Sequence, residues 1–168
     1  MKSLIAACFL FICAASCSAD EEAYTLKEIR FGASPQALAD ETGLIAPEKI
    51  EKRRRLADYE YGCYEFTVAG VHPRNFHGYF VNVGNALRLY KFEMVFERED
   101  NDKVKAALIE KYGKPKTKRD LRLNPIHRWE NGRSKLEWAP YFYSYQGQLT
   151  DSYKPYLPIV EQAQKHDF

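Results

Sequence analysis

The chain has almost no cysteine to build with. It carries four, and three of them (Cys8, Cys13 and Cys17) lie close to the N-terminus. Only Cys63 remains beyond them, so no internal disulfide can staple the rest and the fold must rest on burial. Cys63 sits between Gly62 and Tyr64 in an aromatic stretch and reads as a small buried hydrophobe, not a nucleophile. An excess of one charge is also missing. The 25 Lys+Arg and 23 Asp+Glu leave a net +2, which gives no global field for nucleic acid. After the N-terminal residues no apolar run approaches the roughly 20 residues of a membrane span. There is no Gly-x-Ser-x-Gly, and no Ser stands at a strand-to-helix elbow, which removes the usual serine hydrolase layout. His72 and His77 flank a loop, but HPRNFH has no metal-ligand spacing. Glu97 and Glu99 lie beside Arg98 and Asp100 and read as a solvated rim, not as two carboxylates set across a cleft. Nothing repeats at a fixed period, and no segment is low in complexity. No metal and no cofactor is expected.

What is present begins at the first residue. Met1-Lys2 is followed by an apolar run from Leu4 to Ser16, then Cys17-Ser18-Ala19 and the acidic Asp20-Glu21-Glu22. This is the pattern of an export signal over residues 1–19: a charged start, a short apolar centre and small residues at the cut. Two cleavage chemistries compete. Signal peptidase would cut after Ala19. Alternatively Ala14-Ala15-Ser16-Cys17 resembles the bacterial lipobox, with Ala14 where Leu is usual, and Cys17 would carry lipid and tether the protein to a membrane. Ser18 at the following position resembles outer-membrane sorting. The expected location is therefore the periplasm, or the outer membrane as an anchored lipoprotein. Residues 20–168 are the right length for one domain with a sizeable core.

Twelve Tyr and ten Phe point to a β-rich fold, because aromatic rings suit pleated, half-buried surfaces. Tyr24 to Ile29 is a first strand or a tether. Ser34-Pro35 starts a short helix over Gln36–Thr42 that stops at Gly43. The charged stretch from Pro47 to Asp58 reads as a second short surface helix. Tyr59–Tyr61 and Tyr64–Val68 alternate on opposite phases, which a bulge at Gly62-Cys63 would reconcile. Phe76–Val83 and Leu87–Glu97 form a hairpin around Gly84-Asn85. Asp100-Asn101-Asp102 caps a helix over Lys103–Tyr112, with a stripe of Val104, Ala107, Leu108 and Tyr112. It ends at Gly113. Asn131-Gly132 predicts a two-residue hairpin turn pairing Glu130 with Arg133. Its core face would carry His127, Trp129, Ser134, Leu136 and Trp138, and its solvent face Arg128, Glu130, Arg133, Lys135 and Glu137. Tyr141 to Tyr145 is a further strand ended by Gly147, and a helix after Pro158 closes the chain. The expected class is α+β: a single antiparallel meander with short helices packed on one face.

Two groups of residues are candidates for contact with a partner. The basic clusters Lys52–Arg55 and Lys111–Arg122 could meet an acidic partner, anionic lipid or envelope polymers, though most such clusters are simply solvated. Tyr141, Tyr143 and Tyr145 line one strand face, with Tyr153 and Tyr156 following. Exposed tyrosines, each a rigid ring with one polar tip, suit protein recognition.

Phe31-Gly32-x-Ser34-Pro35-x-x-Leu38, then the aromatic strands, then Leu108-x-x-Lys111-Tyr112-Gly113-Lys114-Pro115 and the late-hairpin Trp129 resemble a group of small exported bacterial proteins. These share the β-lactamase-inhibitor-protein-like layout, also seen in small outer-membrane assembly lipoproteins. The resemblance covers residues 30–145 and consists of capping and turn residues, so it carries over no functional residue. It implies a non-enzymatic exported protein that binds another protein, as an inhibitor or an immunity protein, or an assembly lipoprotein. A cell-wall hydrolase using His72, His77 and nearby carboxylates is the competing class.

Overall fold

The computed structural model describes Leu26 and residues 29–52, 55–119, 124–142 and 146–165. The expected export signal, Cys17, most of Tyr24–Ile29, Arg53, Arg54, Arg122, Tyr143, Tyr145 and His166 lie outside the described residues. Among those described, the elements run α1 (Pro35–Thr42), β1 (Ile45–Lys52), β2 (Leu56–Gly62), β3 (Asn75–Val83), β4 (Ala86–Phe96), α2 (Asn101–Tyr112), β5 (Lys116–Arg119), β6 (Pro125–Glu130), β7 (Ser134–Phe142), β8 (Gln146–Tyr153) and α3 (Leu157–Lys165).

The strands form one antiparallel sheet in the order β1-β2-β3-β4-β8-β7-β6-β5. It is two four-stranded meanders joined where β4 pairs with β8. α2 carries the chain from the middle of the sheet to its far edge. The fold is α+β, as the periodicity predicts.

Register explains which face is buried. Tyr61, Phe76, Met94, Leu149, Trp138 and His127 are successive cross-strand partners from β2 to β6. A second row runs through Tyr59, Gly78, Phe92, Asp151, Leu136 and Trp129. Directly paired residues share a face, so both rows point into the main core. Leu38 and Ala39 of α1, and Val104 and Leu108 of α2, close that core from outside. Ser34 caps α1 through its Oγ, which accepts from Ala37 N at 3.2 Å, and Gly43 ends it at φ 72°.

α3 departs from the expectation of helices on one face. Its Val160 and Ala163 pack with Leu56, Val81 and Tyr90 on the opposite side of the sheet. That contact accounts for the apolar residues on both faces of β3 and β4. A register shift after Tyr79 adds to it by placing Tyr90 beside α3.

Three further local readings are corrected. The stretch from Pro47 to Asp58 is not a helix but the end of β1 and the start of β2, because cross-strand pairing overrides a weak helical pattern. Tyr64–Val68 is not a strand. β2 ends at Gly62, and the chain leaves the sheet instead of bulging; Phe66 and Val71 plug the core from a loop held by a Val68–Val71 bridge. The β6–β7 hairpin turns one residue later than Asn-Gly chemistry implies, so Glu130 pairs with Lys135. Asn131 takes the first turn position. Its Oδ1 accepts from Arg133 N at 2.9 Å and Ser134 N at 2.8 Å, while its carbonyl accepts from Lys154 Nζ at 2.6 Å. Partners therefore shift by two, which leaves the strand side chains on their predicted faces, while Arg133 falls in the turn. By contrast Gly84 and Asn85, both at positive φ, form the expected two-residue turn, with Val83 opposite Ala86.

Candidate functional site: the uncovered sheet face

Among the described residues, the opposite face of the sheet is covered by α3 at one end only. Across the rest, cross-strand partners set out polar rows. Glu60, His77 and Glu93 lead through Thr150 to Glu137, Arg128 and Lys116. In the next row, Asp58, Tyr79 and Lys91 lead through Ser152 to Lys135 and Glu130. The hydrophobic period of 2 sends one set of residues to the core and this set outward.

The charges are unevenly spread. The β1–β4 half carries Glu48, Asp58, Glu60 and Glu93 against Lys91 and Arg88, the latter opposite Val81. Tyr79 donates to Glu93 at 2.8 Å, and Lys91 Nζ lies 2.6 Å from the same carboxylate and 4.5 Å from the Tyr79 ring centroid. Burial first, and then the bond to Glu93, push the Tyr79 hydroxyl far up, so it stays protonated. The β5–β8 half carries Lys116, Lys118, Arg128, Lys135 and Lys154 against Glu130 and Glu137. Burial tends to raise the Glu137 carboxyl, yet bonds from Lys135 and Arg128 (Nε at 2.8 Å) hold it below the usual carboxylate range. Lys154, 2.8 Å from Glu130, does the same for that residue.

Both edges resist strand pairing. β5 is short and exposed throughout, with cations at Lys116, Lys118 and Arg119. β1 holds Pro47 and two register irregularities. These are standard ways to blunt an edge, so recognition by strand addition is disfavoured and the open face is left.

A cleft of 590 Å³ opens at the corner of the acidic half, lined in part by Glu48, Glu60, Cys63, Tyr64, His72 and Arg74. Tyr64 stands 82% exposed on its rim, beside Ile45 at 47%. An exposed aromatic ring next to an aliphatic side chain, on a mostly charged surface, is a typical interface anchor. No sequence pattern marks Tyr64, because the predicted strand gave it an ordinary place in a sheet.

The structure places the remaining candidates as follows. His72 faces the Phe66 carbonyl through Nδ1 at 3.1 Å, whereas His77 Nε2 stands 3.4 Å from Glu60 Oε1 and outside hydrogen-bond geometry. Among the described residues no group of three or more His, Cys, Asp or Glu is arranged to hold a metal. His127 lies in the core, with Nδ1 3.0 Å from Thr117 Oγ1. Burial first, and then nearby Lys105, lower its pKa. Tyr153 stacks on Phe31 at 5.3 Å and meets Tyr156 edge-on at 5.1 Å, so both serve the packing of the domain. Tyr141 lies near the end of β7, and Gly147, expected to end that strand, belongs to β8.

Comparison with known proteins brings no relative. No protein-family model, curated protein or solved structure matches this chain.

Cys63 is buried, and its Sγ donates to the Tyr61 carbonyl at 3.4 Å. Burial, aided by Glu60, pushes the thiol up to about 11. Thiolate is the reactive form, so at pH 7.5 iodoacetamide should label Cys63 at least ~100-fold more slowly than free cysteine. Mass spectrometry over time checks this, and labelling at the free-thiol rate contradicts it.

Proposed function

We propose that this chain is an exported, non-enzymatic envelope protein that docks another protein on the uncovered sheet face. Inhibition of, or immunity to, an exported enzyme is the sharpest form of that reading. The observation that carries it is the face itself: a broad polar sheet surface covered, among the described residues, by α3 only at one end, with a cleft and an exposed tyrosine at its corner. Lys91, Arg128, Lys135 and Lys154 are already held in ion pairs, so less of their rotamer freedom is lost when a partner arrives. Complementary charge would steer that partner and set its orientation. The N-terminal pattern supports export. Anchoring through lipid on Cys17 is the variant in which the same face serves envelope assembly.

The test is paired affinity capture from envelope and secreted extracts. The wild-type protein is compared with Lys116→Glu/Lys118→Glu on the face and with Lys103→Glu away from the sheet. One stoichiometric partner should bind the wild type and the Lys103 variant and be at least ~10-fold depleted on the face variant, given what misplaced like charges cost at an interface. Equal capture by all three, or no specific partner, would overturn the proposal.

A further inference from the structure

We infer that the uncovered face is self-complementary and that a second copy of this chain can occupy it. The inference rests on the reading of that face as a docking surface and names one occupant for it. Its basis is the order of charges across the sheet. The β1–β4 half has two carboxylates more than cations, and the β5–β8 half has three cations more than carboxylates. Between them β8 presents only neutral Gln148, Thr150 and Ser152 on this face.

A two-fold axis parallel to the strands, running between β4 and β8, sets the acidic half of each copy against the basic half of the other. Contacts in such a dimer occur twice, as an isologous interface requires. A face of uniform sign would instead repel its copy. α3 sits over the Leu56–Val81 end of the acidic half. In the paired arrangement that end lies opposite the tip of the β6–β7 hairpin, where the partner copy's sheet stops. The blunted edges remove side-by-side sheet extension as a competing way to associate. Attraction of this kind weakens as salt screens it, over a Debye length of about 10 Å at 0.1 M.

The experiment is sedimentation equilibrium on the purified protein at low and high salt, with two charge-reversed variants. Asp58→Lys/Glu60→Lys makes both halves net basic, and Lys116→Glu/Lys118→Glu makes both halves net acidic. Circular dichroism confirms that each variant is folded. The wild type should form dimers at low salt that dissociate as salt rises. Each variant alone should associate roughly 100-fold more weakly, because like charges then oppose each other. An equimolar mixture of the two variants should recover the dimer. A monomeric wild type at low salt, or dimers that survive in each variant alone, overturns the inference. A monomeric wild type whose face variant still loses the captured partner would overturn the self-pairing alone. Loss of partner capture specificity would instead undo the docking surface itself.

Discussion

Replacing Asp151 with asparagine is expected to raise the stability of the protein at neutral pH and to change it little near pH 4. Asp151 is fully buried in the row between Phe92 and Leu136. Its Oδ1 accepts from Ser152 N at 2.8 Å, and its Oδ2 has no protein partner. Burial is the larger influence and holds the carboxyl protonated well above its ordinary range, with the Ser152 bond acting the other way. The native state then binds a proton that the unfolded state has released. The neutral acid's contribution is complete below the unfolded value near 4 and is lost as pH rises toward the native value. Within that window the wild type should lose about 1.4 kcal/mol relative to Asp151→Asn for each pH unit. Glu130, Glu137 and His127 all titrate below their ordinary values, but all three are common to both proteins and cancel in the difference. Thermal unfolding of the pair from pH 4 to pH 8 measures this. Parallel profiles, or a less stable variant at pH 7, would contradict it.

Gly147→Ala is expected to be among the most damaging single substitutions, costing about 3 kcal/mol or more through overpacking. Gly147 lies within β8 opposite Phe96. A Cβ there would stand 2.2 Å from the Trp138 indole and 2.2 Å from Asn101 Oδ1. Neither neighbour has room to retreat. Trp138 is fully buried and packs edge-on against Phe96 at 5.8 Å, and Asn101 Nδ2 donates to the Pro140 carbonyl. The position has ordinary strand geometry, so the cost is steric and should couple to the indole. Combining it with Trp138→Leu should recover at least ~1 kcal/mol relative to the sum of the single effects, as expected for residues in direct contact. Urea unfolding of the four proteins in this cycle checks both statements. A melting point for Gly147→Ala within a degree or two of wild type would contradict the packing around β8.

Much of the architecture is legible in local chemistry. Ser34, Pro35 and Gly43 define α1, and the stripe ending at Gly113 defines α2, because caps and periodicity act within a few residues. The faces of β6 and β7 are equally readable. The period of 2 survives the hairpin's shift in register, which comes from Asn131 satisfying two backbone N–H groups itself. Readings fail where distant partners decide. β1 forms because β2 lies beside it. Phe66 alternates like a strand residue yet plugs the core from a loop. α3 chooses the opposite face because Leu56, Val81 and Tyr90 await it there. The candidate site is harder to read for the same reason. The solvent face of one hairpin is visible in the sequence, but its continuation through β8 into β3 and β2 depends on β4 pairing with β8. The polarity of the whole face appears only with that pairing. The C-terminal tyrosines draw attention by composition, yet Tyr153 and Tyr156 pack against each other and Tyr153 against Phe31, whereas among the described residues Tyr64 is the tyrosine that stands exposed.

The most direct test of the central claim is a hydroxyl-radical footprint of the protein in complex with its captured partner. The account predicts protection at Tyr64 and along Lys91, Lys135 and Lys116, with α2 residues such as Ile109 unchanged. Protection confined to α2, with Tyr64, Lys91, Lys135 and Lys116 as reactive as in the free protein, would contradict it.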